Sequence, residues 1–507
     1  MQPPTPPSGV VSLEQLFPRV SFHGGNPTLR GCSSDWRNIR QGDLFVAVVD
    51  DDADGHETAR QAVQRGAAAV IAERPLQLTV PVCVVPDTRE ALGRACQTLA
   101  GRPADQLVTI GVSGTSGKTV TSELIASILR AAGHRTGSLT TLGHHDGDQL
   151  KPTDITLPTP ERIARILKQA VDNGCSHAVL EVSSEALAKR TTSGLDWDVA
   201  VLTNLRRDHL DLHGTLPNYQ RAKARLFQQL APRGCAILNL DDVTSRNLLP
   251  TIDHPALTTG IQTDAQIGAC LIEQFPSEQT FILTAGNESV PVRTSIIGSP
   301  HVTNCLAAAG AGLSVGIDLP TIARGLEAVP ALPGRLERVE CGQEFSLFVD
   351  RADTADQLAA TLRALRSVIP GRLICVYGAR ASHSRTVRAE LGSVVERLAD
   401  LEVITNDNPG IQPHFQIVHD ILDGYRRPAK ARVMPSRGNA ITWALQQAQR
   451  GDCVLIAGKG DRCGQQLSGG WMPWDDREYA RSQLYAAAAP SERPPRLLPF
   501  RAPTHLN

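Results

Sequence analysis

The sequence predicts a multidomain α/β protein, and three observations predict it. The chain has 507 residues, more than one hydrophobic core sustains, so two to four domains are expected. Short apolar runs alternate with helical patterns through most of its length, as in parallel sheets covered by helices. The stretch Val108-Thr-Ile-Gly-Val-Ser-Gly-Thr-Ser-Gly-Lys-Thr119 reads as a buried strand, a glycine-rich turn and a helix start.

Residues 1–9 form a proline-rich lead, expected to be disordered. Residues 10–104 read as a small α/β domain. Asp43–Val49, Ala68–Ala72 and Val80–Val85 are strand-like, and Ala59–Arg65 and Arg89–Leu99 are helix-like. Residues 105–332 open on the glycine-rich turn and continue with His177–Val182, Val199–Thr203 and Cys235–Asn239 as buried strands of a mostly parallel sheet. A more polar, strand-prone stretch from Ala256 to Arg293 and an alanine-rich helix from His301 to Val315 follow. Composition breaks at Pro330-Ala-Leu-Pro-Gly-Arg335. A third, Rossmann-like α/β domain is expected over 333–487, with strands Ser346–Val349, Leu373–Tyr377, Glu402–Thr405 and Cys453–Ala457. The tail 488–507 is rich in proline and expected to be loose.

Charge is balanced, 51 Lys and Arg against 52 Asp and Glu, with no basic cluster, which argues against a nucleic-acid surface. The 11 cysteines are scattered without metal-type spacing, which predicts reduced thiols in a cytoplasm. The opening Met-Gln-Pro-Pro-Thr-Pro-Pro has neither a basic region nor an apolar run, so no leader peptide is expected. No stretch is long enough to span a membrane.

The turn points to nucleotide phosphate. Gly111, Gly114 and Gly117 let the backbone turn tightly and approach an anion. N–H groups at a helix start favour phosphate. Lys118 can reach the outer phosphates and the Thr119 hydroxyl can hold Mg²⁺. Val112 stands where the strict spacing has Gly. Ligands of such sheets sit beyond the carboxyl ends of the strands, where Glu181, Asn204 and Asn239 fall with Lys118. A carboxylate on a buried strand, Glu181, needs a cation or a proton. Along 218–230, Tyr219, Leu226, Phe227 and Leu230 make one apolar face at helical spacing, and Lys223 lies on it. That lysine either snorkels to solvent or is half-buried with a lowered pKa and neutral often enough to react. His209, in a loop among acidic neighbours, is either a metal ligand or a structural histidine.

Four stretches together resemble the Mur ligases, of the MurE type. They are 111–119, Glu-Val-Ser-Ser at 181–184, Asn-Leu-Arg-Arg-Asp-His-Leu-Asp at 204–211 and Ala-Lys-Ala-Arg-Leu-Phe at 222–227. The likeness covers nearly the whole chain, including Gly42-Asp-Leu-Phe-Val-Ala, Asp54-Gly-His, Gly334-Arg-Leu-Glu-Arg-Val, Asp407-Asn-Pro and Gly458-Lys-Gly. The resemblance implies an ATP- and Mg²⁺-dependent ligase of peptidoglycan precursor synthesis. ATP would phosphorylate a carboxylate of a UDP-muramoyl peptide, and an amino-acid amine would attack the acyl phosphate. It implies nucleotide contacts from Gly114, Thr115, Gly117, Lys118, Thr119, Asn304, Arg335 and Asp350, the last two on domain closure. It implies metal ligands Thr119, Glu181, His209 and Lys223, the lysine as N6-carboxylysine. Lys118, Lys223 and His209 would be catalytic. Asp35, Thr156, Ser183 and Ser184 would meet the UDP substrate. Asp407, Asn408, Gly458 and Arg462 would meet the amino acid. Small-molecule substrates alone are implied, with a cytoplasmic location, no membrane insertion and a monomer.

The sequence departs from the family pattern mainly at the substrate side. Asp-Ser-Arg reads Asp35-Trp36-Arg37. His after Ser183-Ser184 is Glu185, and Gln-x-Arg reads Lys189-Arg190-Thr191. Thr-Thr-Pro-Asp reads Thr156-Leu157-Pro158-Thr159. In the third domain, Asp-Tyr-Ala-His-Thr-Pro reads Asp350-Arg351-Ala352-Asp353-Thr354-Ala355, and Gly-Gly-Asp-Arg-Asp is replaced around Arg380-Ala-Ser-His-Ser384. Asp-Asn-Pro-Arg reads Asp407-Asn408-Pro409-Gly410, and Gly-Lys-Gly-His-Glu reads Gly458-Lys459-Gly460-Asp461-Arg462. Loss of one partner of a buried charge pair costs about 2–5 kcal/mol, roughly 30- to 4,000-fold in affinity. A pocket lacking that Arg and that Glu should hold diaminopimelate poorly, unless Arg462 or Arg380 compensates. Two other readings stand beside this one. One is a family ligase of another acid and amine, like the folylpolyglutamate or cyanophycin relatives. The other is a nucleotide-binding paralogue with little activity, which had no need to keep Lys118, Glu181, His209 and Lys223 together.

Overall fold

The structure, a computed structural model, describes residues 11–18, 22–23, 25–50, 53–152, 157–208 and 210–488. The lead 1–9, the tail beyond Ala488, Thr156 and His209 lie outside the described residues. The chain divides into two compact units, residues 1–332 and 333–507.

The first unit carries two large sheets. The smaller runs Phe22–His23, Val82–Val84, Ala69–Ala72, Leu44–Val46, Cys32–Ser33, parallel except at the Phe22–His23 edge. The strand read as 43–49 stops at Val46, because the chain doubles back so that the Gly55 N–H meets the Val48 carbonyl at 2.9 Å. The next helix starts earlier than its apolar pattern, at Gly55, because Asp54 caps it by accepting from the His56 N–H at 2.9 Å.

The larger sheet has eleven strands. At its centre lies β1 (Val108–Ser113), between β2 (His177–Glu181) and β3 (Trp197–Leu202), all parallel. Parallel pairing extends outward to Thr136–Thr140 on one side and to Ile267–Gln274 on the other. Antiparallel hairpins finish both edges. The parallel strands are covered on both faces, which is why they read as continuous apolar runs. Helix α1 (Lys118–Ala131) packs on one face with Ile110, Val112 and Val201. Helix α2 (Leu216–Gln228) packs on the other, with Tyr219 and Leu226 against Trp197. Leu230, assigned to that helix by its spacing, opens the strand Leu230–Asn239 instead. Helix α3 (Ser299–Ser314) joins α1 on its face.

The second unit has a six-stranded sheet. Its strands β4 (Ser346–Asp350), β5 (Leu373–Tyr377), β6 (Leu401–Ile404) and β7 (Cys453–Ala457) are parallel in the order β4-β7-β5-β6. Arg437 at the start of α4 (Arg437–Gln447) forks onto Asp476 at the start of α5 (Asp476–Ala488), with Nε–Oδ1 and Nη2–Oδ2 both 2.7 Å. Both side chains are buried, and the Trp474 indole N–H also donates to Asp476. Among the described residues no helix is long and apolar enough to cross a membrane.

Candidate active site

The turn after β1 is forced by space as well as conformation. Gly114 has φ +152° and Gly117 φ +83°. A Cβ on Gly114 would lie 1.9 Å from Thr203 Oγ1, and one on Gly117 2.2 Å from Asn304 Oδ1. Asn304, on α3, is thereby placed against the turn. The loop after β3 clamps it from the other side. Asn204 takes the Thr115 N–H on its carbonyl at 3.0 Å and the Ser116 N–H on Oδ1 at 3.0 Å. Thr203 Oγ1 donates to the Ser116 carbonyl at 2.6 Å, and the Thr115 and Tyr219 hydroxyls are 2.8 Å apart. No side chain caps α1, which leaves its start to an anion. Lys118 Nζ folds back on the turn, donating to the carbonyls of Gly114 at 3.0 Å and Thr115 at 3.2 Å.

Oxygen donors gather one turn further on. Glu181 Oε2, at the end of β2, accepts from Thr119 Oγ1 at 2.8 Å and from the Thr141 N–H at 3.1 Å. The Thr119 and Thr141 hydroxyls are 3.1 Å apart. Such hard oxygens suit Mg²⁺, which takes one or two protein carboxylates and completes its shell with water and phosphate. Among the described residues no group of three or more His, Cys, Asp or Glu is placed to hold a metal.

Lys223 reaches this place from α2. It is 1 % exposed, more deeply buried than the half-buried face its spacing suggested. Its Nζ donates to the Gly114 carbonyl at 2.7 Å and to Ser113 Oγ at 3.2 Å, and lies 5.4 Å from the Tyr219 ring centre. Burial first, and then the neighbouring Lys118 charge, push its pKa well below the ordinary lysine value, against the pull of Asp208 and Glu181.

Ser183 and Ser184 follow β2 directly. Ser183 caps the helix Ser184–Ala188 by accepting the Ala186 N–H at 3.0 Å, and Ser184 is buried. Asp35 stands apart, just after the edge strand Cys32–Ser33 of the smaller sheet, where it caps the turn Trp36–Asn38 through the Arg37 N–H at 2.9 Å.

In the second unit, charged side chains fill the loops beyond β4, β5, β6 and β7. Asp350 takes the N–H groups of Leu336 at 2.6 Å and Ala352 at 2.9 Å, and burial raises its pKa. Arg335 pairs with Asp461 at 2.7 Å, and Arg351 joins the same carboxylate at 3.2 Å. Asp407 and Lys459 are both fully buried, 3.3 Å apart. Lys459 also donates to Asn408 Oδ1 at 2.8 Å. Arg380 pairs with Asp353, lies 3.8 Å from Asp407 and donates to the Gly458 carbonyl at 3.2 Å. Arg462 is 4.0 Å from Asp353.

Residues 112–312 match the Mur ligase middle domain and residues 334–460 the Mur ligase glutamate ligase domain. A UDP-N-acetylmuramoyl-L-alanyl-D-glutamate–2,6-diaminopimelate ligase of Geobacillus thermodenitrificans is 39% identical over 485 residues, 94% of this chain and 99% of that protein. The chain belongs to the Mur ligase family. It is MurE-like, an ATP-dependent amide ligase of peptidoglycan precursor synthesis. A protein of the same name from Chlorobium phaeobacteroides is 36% identical over 497 residues, covering 94% of this chain and 96% of that one. A solved structure of a ligase of that name superposes with a TM-score of 0.70 at 30% identity, covering 94% of this chain and 99% of that one.

In this Mur ligase the structure brings Gly114, Thr115, Gly117, Lys118, Thr119, Glu181, Lys223 and Asn304 to one place, and does not join Asp35 to them among the described residues. Sequence reasoning missed Thr141, Thr203 and the clamping role of Asn204. It also missed Lys459, which stood in plain view between two glycines, and the pairing of Asp461 with Arg351, two substituted positions 110 residues apart.

Proposed function

We propose that this Mur ligase joins an amino-acid amine to a carboxylate of a UDP-N-acetylmuramoyl peptide, consuming ATP with Mg²⁺. The observation that carries the reading is the meeting of Lys118, Thr119, Glu181 and Lys223 at the carboxyl ends of β1 and β2. The acceptor carboxylate attacks the terminal phosphorus of ATP and ADP leaves. The neutral amine then attacks the acyl carbon, and phosphate leaves through a tetrahedral intermediate. Little covalent work falls to the protein, which positions the reactants and neutralises charge. The backbone of Gly114, Thr115 and Gly117 cradles phosphate, held in shape by Asn204. Lys118 exchanges its two carbonyl partners for phosphoryl oxygens. Asn304 meets the adenine end, and Arg335 and Asp350 are further nucleotide contacts. Thr119, Glu181, His209 and Lys223 would hold Mg²⁺, which when bound neutralises phosphate charge. Lys223 does so as N6-carboxylysine. Its buried, neutral-leaning amine attacks CO₂, loses a proton and becomes an anionic carbamate.

Residues 10–104 are proposed as the UDP-substrate domain, with Asp35. Residues 105–332 are the ATP domain, with Thr156, Ser183 and Ser184 toward the muramoyl peptide. Residues 333–487 are the amino-acid domain, with Asp407, Asn408, Gly458 and Arg462. The enzyme is proposed to act as a monomer in the cytoplasm. The test is phosphate release and product mass across a panel of UDP-muramoyl peptides and amino acids. Absence of both with every pair would overturn the reading. Gly410 and Arg462 favour, as a second reading, a family ligase whose amine is not diaminopimelate.

A further inference from the structure

The loops beyond β4, β5, β6 and β7 gather charged side chains in the position where open parallel sheets receive their ligands. Five cations, Arg335, Arg351, Arg380, Lys459 and Arg462, share three carboxylates, Asp353, Asp407 and Asp461. Asp350 lies beside this cluster, its oxygens accepting from the Leu336 and Ala352 N–H groups and the Thr361 hydroxyl. Each of the three carboxylates already serves two cations. Arg462 is the least engaged. Its one ion pair is the 4.0 Å approach to Asp353, whose closer partner is Arg380, and its side chain is 28% exposed against 16% for Arg380 and 0% for Lys459. A Cβ on Gly410 would meet only Ala381 Cβ at 3.8 Å. Gly410 is tied to the Arg462 loop through its N–H to the Gln466 carbonyl at 3.2 Å.

Resting on the ligase reading above, we infer that Arg462 selects an amine substrate whose side chain ends in a carboxylate and carries no second ammonium. A spare, half-sheltered guanidinium matches a carboxylate in geometry and charge. A distal ammonium finds no such partner beside Arg462, because Asp353, the carboxylate it approaches, is already held more closely by Arg380. The class is therefore the acidic α-amino acids. Lysine and diaminopimelate are disfavoured.

The experiment uses the full chain. Product formation is measured with ATP, Mg²⁺, UDP-muramoyl dipeptide and, in turn, glutamate, 2-aminoadipate, alanine, lysine and diaminopimelate. The same amines are titrated calorimetrically in the presence of ADP. At least a tenfold preference in kcat/KM for an acidic amine is expected. Arg462→Glu should lose it through KM rather than kcat and gain turnover of lysine or diaminopimelate, while Arg462→Lys keeps the acidic preference in weakened form. Preference of the unaltered enzyme for lysine or diaminopimelate, or a preference unmoved by Arg462→Glu, overturns the inference. If no amine turns over, UDP-muramoyl dipeptide fails as the acceptor on its own. Selective calorimetric binding of an acidic amine, abolished by Arg462→Glu, would still support the inference, and its absence would end it.

Discussion

Lys118 is proposed as the residue on which ATP chemistry turns, and its present partners are two carbonyls of its own loop. Lys118→Ala is expected to abolish ATP turnover while the circular dichroism and melting temperature stay near those of the unaltered protein. Full turnover in a folded variant would remove the phosphate assignment. Gly117→Ala acts differently. Its Cβ would press on Asn304 at a φ that side chains rarely adopt, a strain of about 1–3 kcal/mol. Nucleotide affinity and stability should fall together, as titration with ADP and urea unfolding would show. Lys223 gives a stability signature. Between its depressed folded pKa and the ordinary 10.5, the unfolded chain binds a proton that the folded chain does not, so stability rises with pH across that window. In bicarbonate-free buffer Lys223→Met should exceed the unaltered enzyme most near neutrality, with the gap narrowing as pH climbs. A gap constant from pH 7 to 10 would show that the amine is not the cause. Gly114, Lys118 and Thr119 were legible because the motif is contiguous. The depth of Lys223 was not, because helical spacing tells which face a residue shares but not how thick the cover over that face is.

Among the elements, strands fared best where both faces are covered. Leu373–Tyr377 and Cys453–Ala457 begin and end with their apolar runs. Boundaries failed where a cap or a turn decided them, as at Asp54 and Val46. The stretch after Ala256 read only as strand-prone, and it resolves into four strands because its outer members alternate between the core and solvent. Helix α3 holds a prediction of its own. His301 is buried in it and held neutral, its pKa brought down to about 4 from 6.5 by burial. The unfolded chain takes up a proton as pH falls below 6.5 and the folded chain resists, so this contribution is complete above 6.5 and drains away toward pH 4. The loss is on the order of 3 kcal/mol at most, and His301→Leu should flatten that part of the stability–pH curve. An unchanged slope would point to His177, whose pKa is likewise lowered to about 4.

At the scale of the molecule, the break in composition at Pro330–Arg335 coincides with the division of the chain after Leu332. Pro330, Ala331 and Pro333 are exposed there. A protease that cuts beside alanine or leucine is expected to cleave first at this joint and to release two resistant fragments. First cuts inside 115–240 or 345–455 would argue against independent units.

The fork between Arg437 and Asp476 reaches beyond the finished fold into the making of the chain. An uncompensated charge in that buried place costs about 3–5 kcal/mol, and the compensating carboxylate lies 39 residues further on. Synthesis runs at about 5–20 residues per second, so roughly 2–8 seconds separate the two. During that interval the second unit gains β7, the strand between β4 and β5, but cannot close over Arg437. The first unit needs nothing from beyond Leu332 to complete its own strands and is free to fold ahead. The last helix thus sets the moment at which this enzyme finishes folding, and a nonsense codon within the second unit but before 476 should yield a folded first unit joined to an open, protease-sensitive remainder.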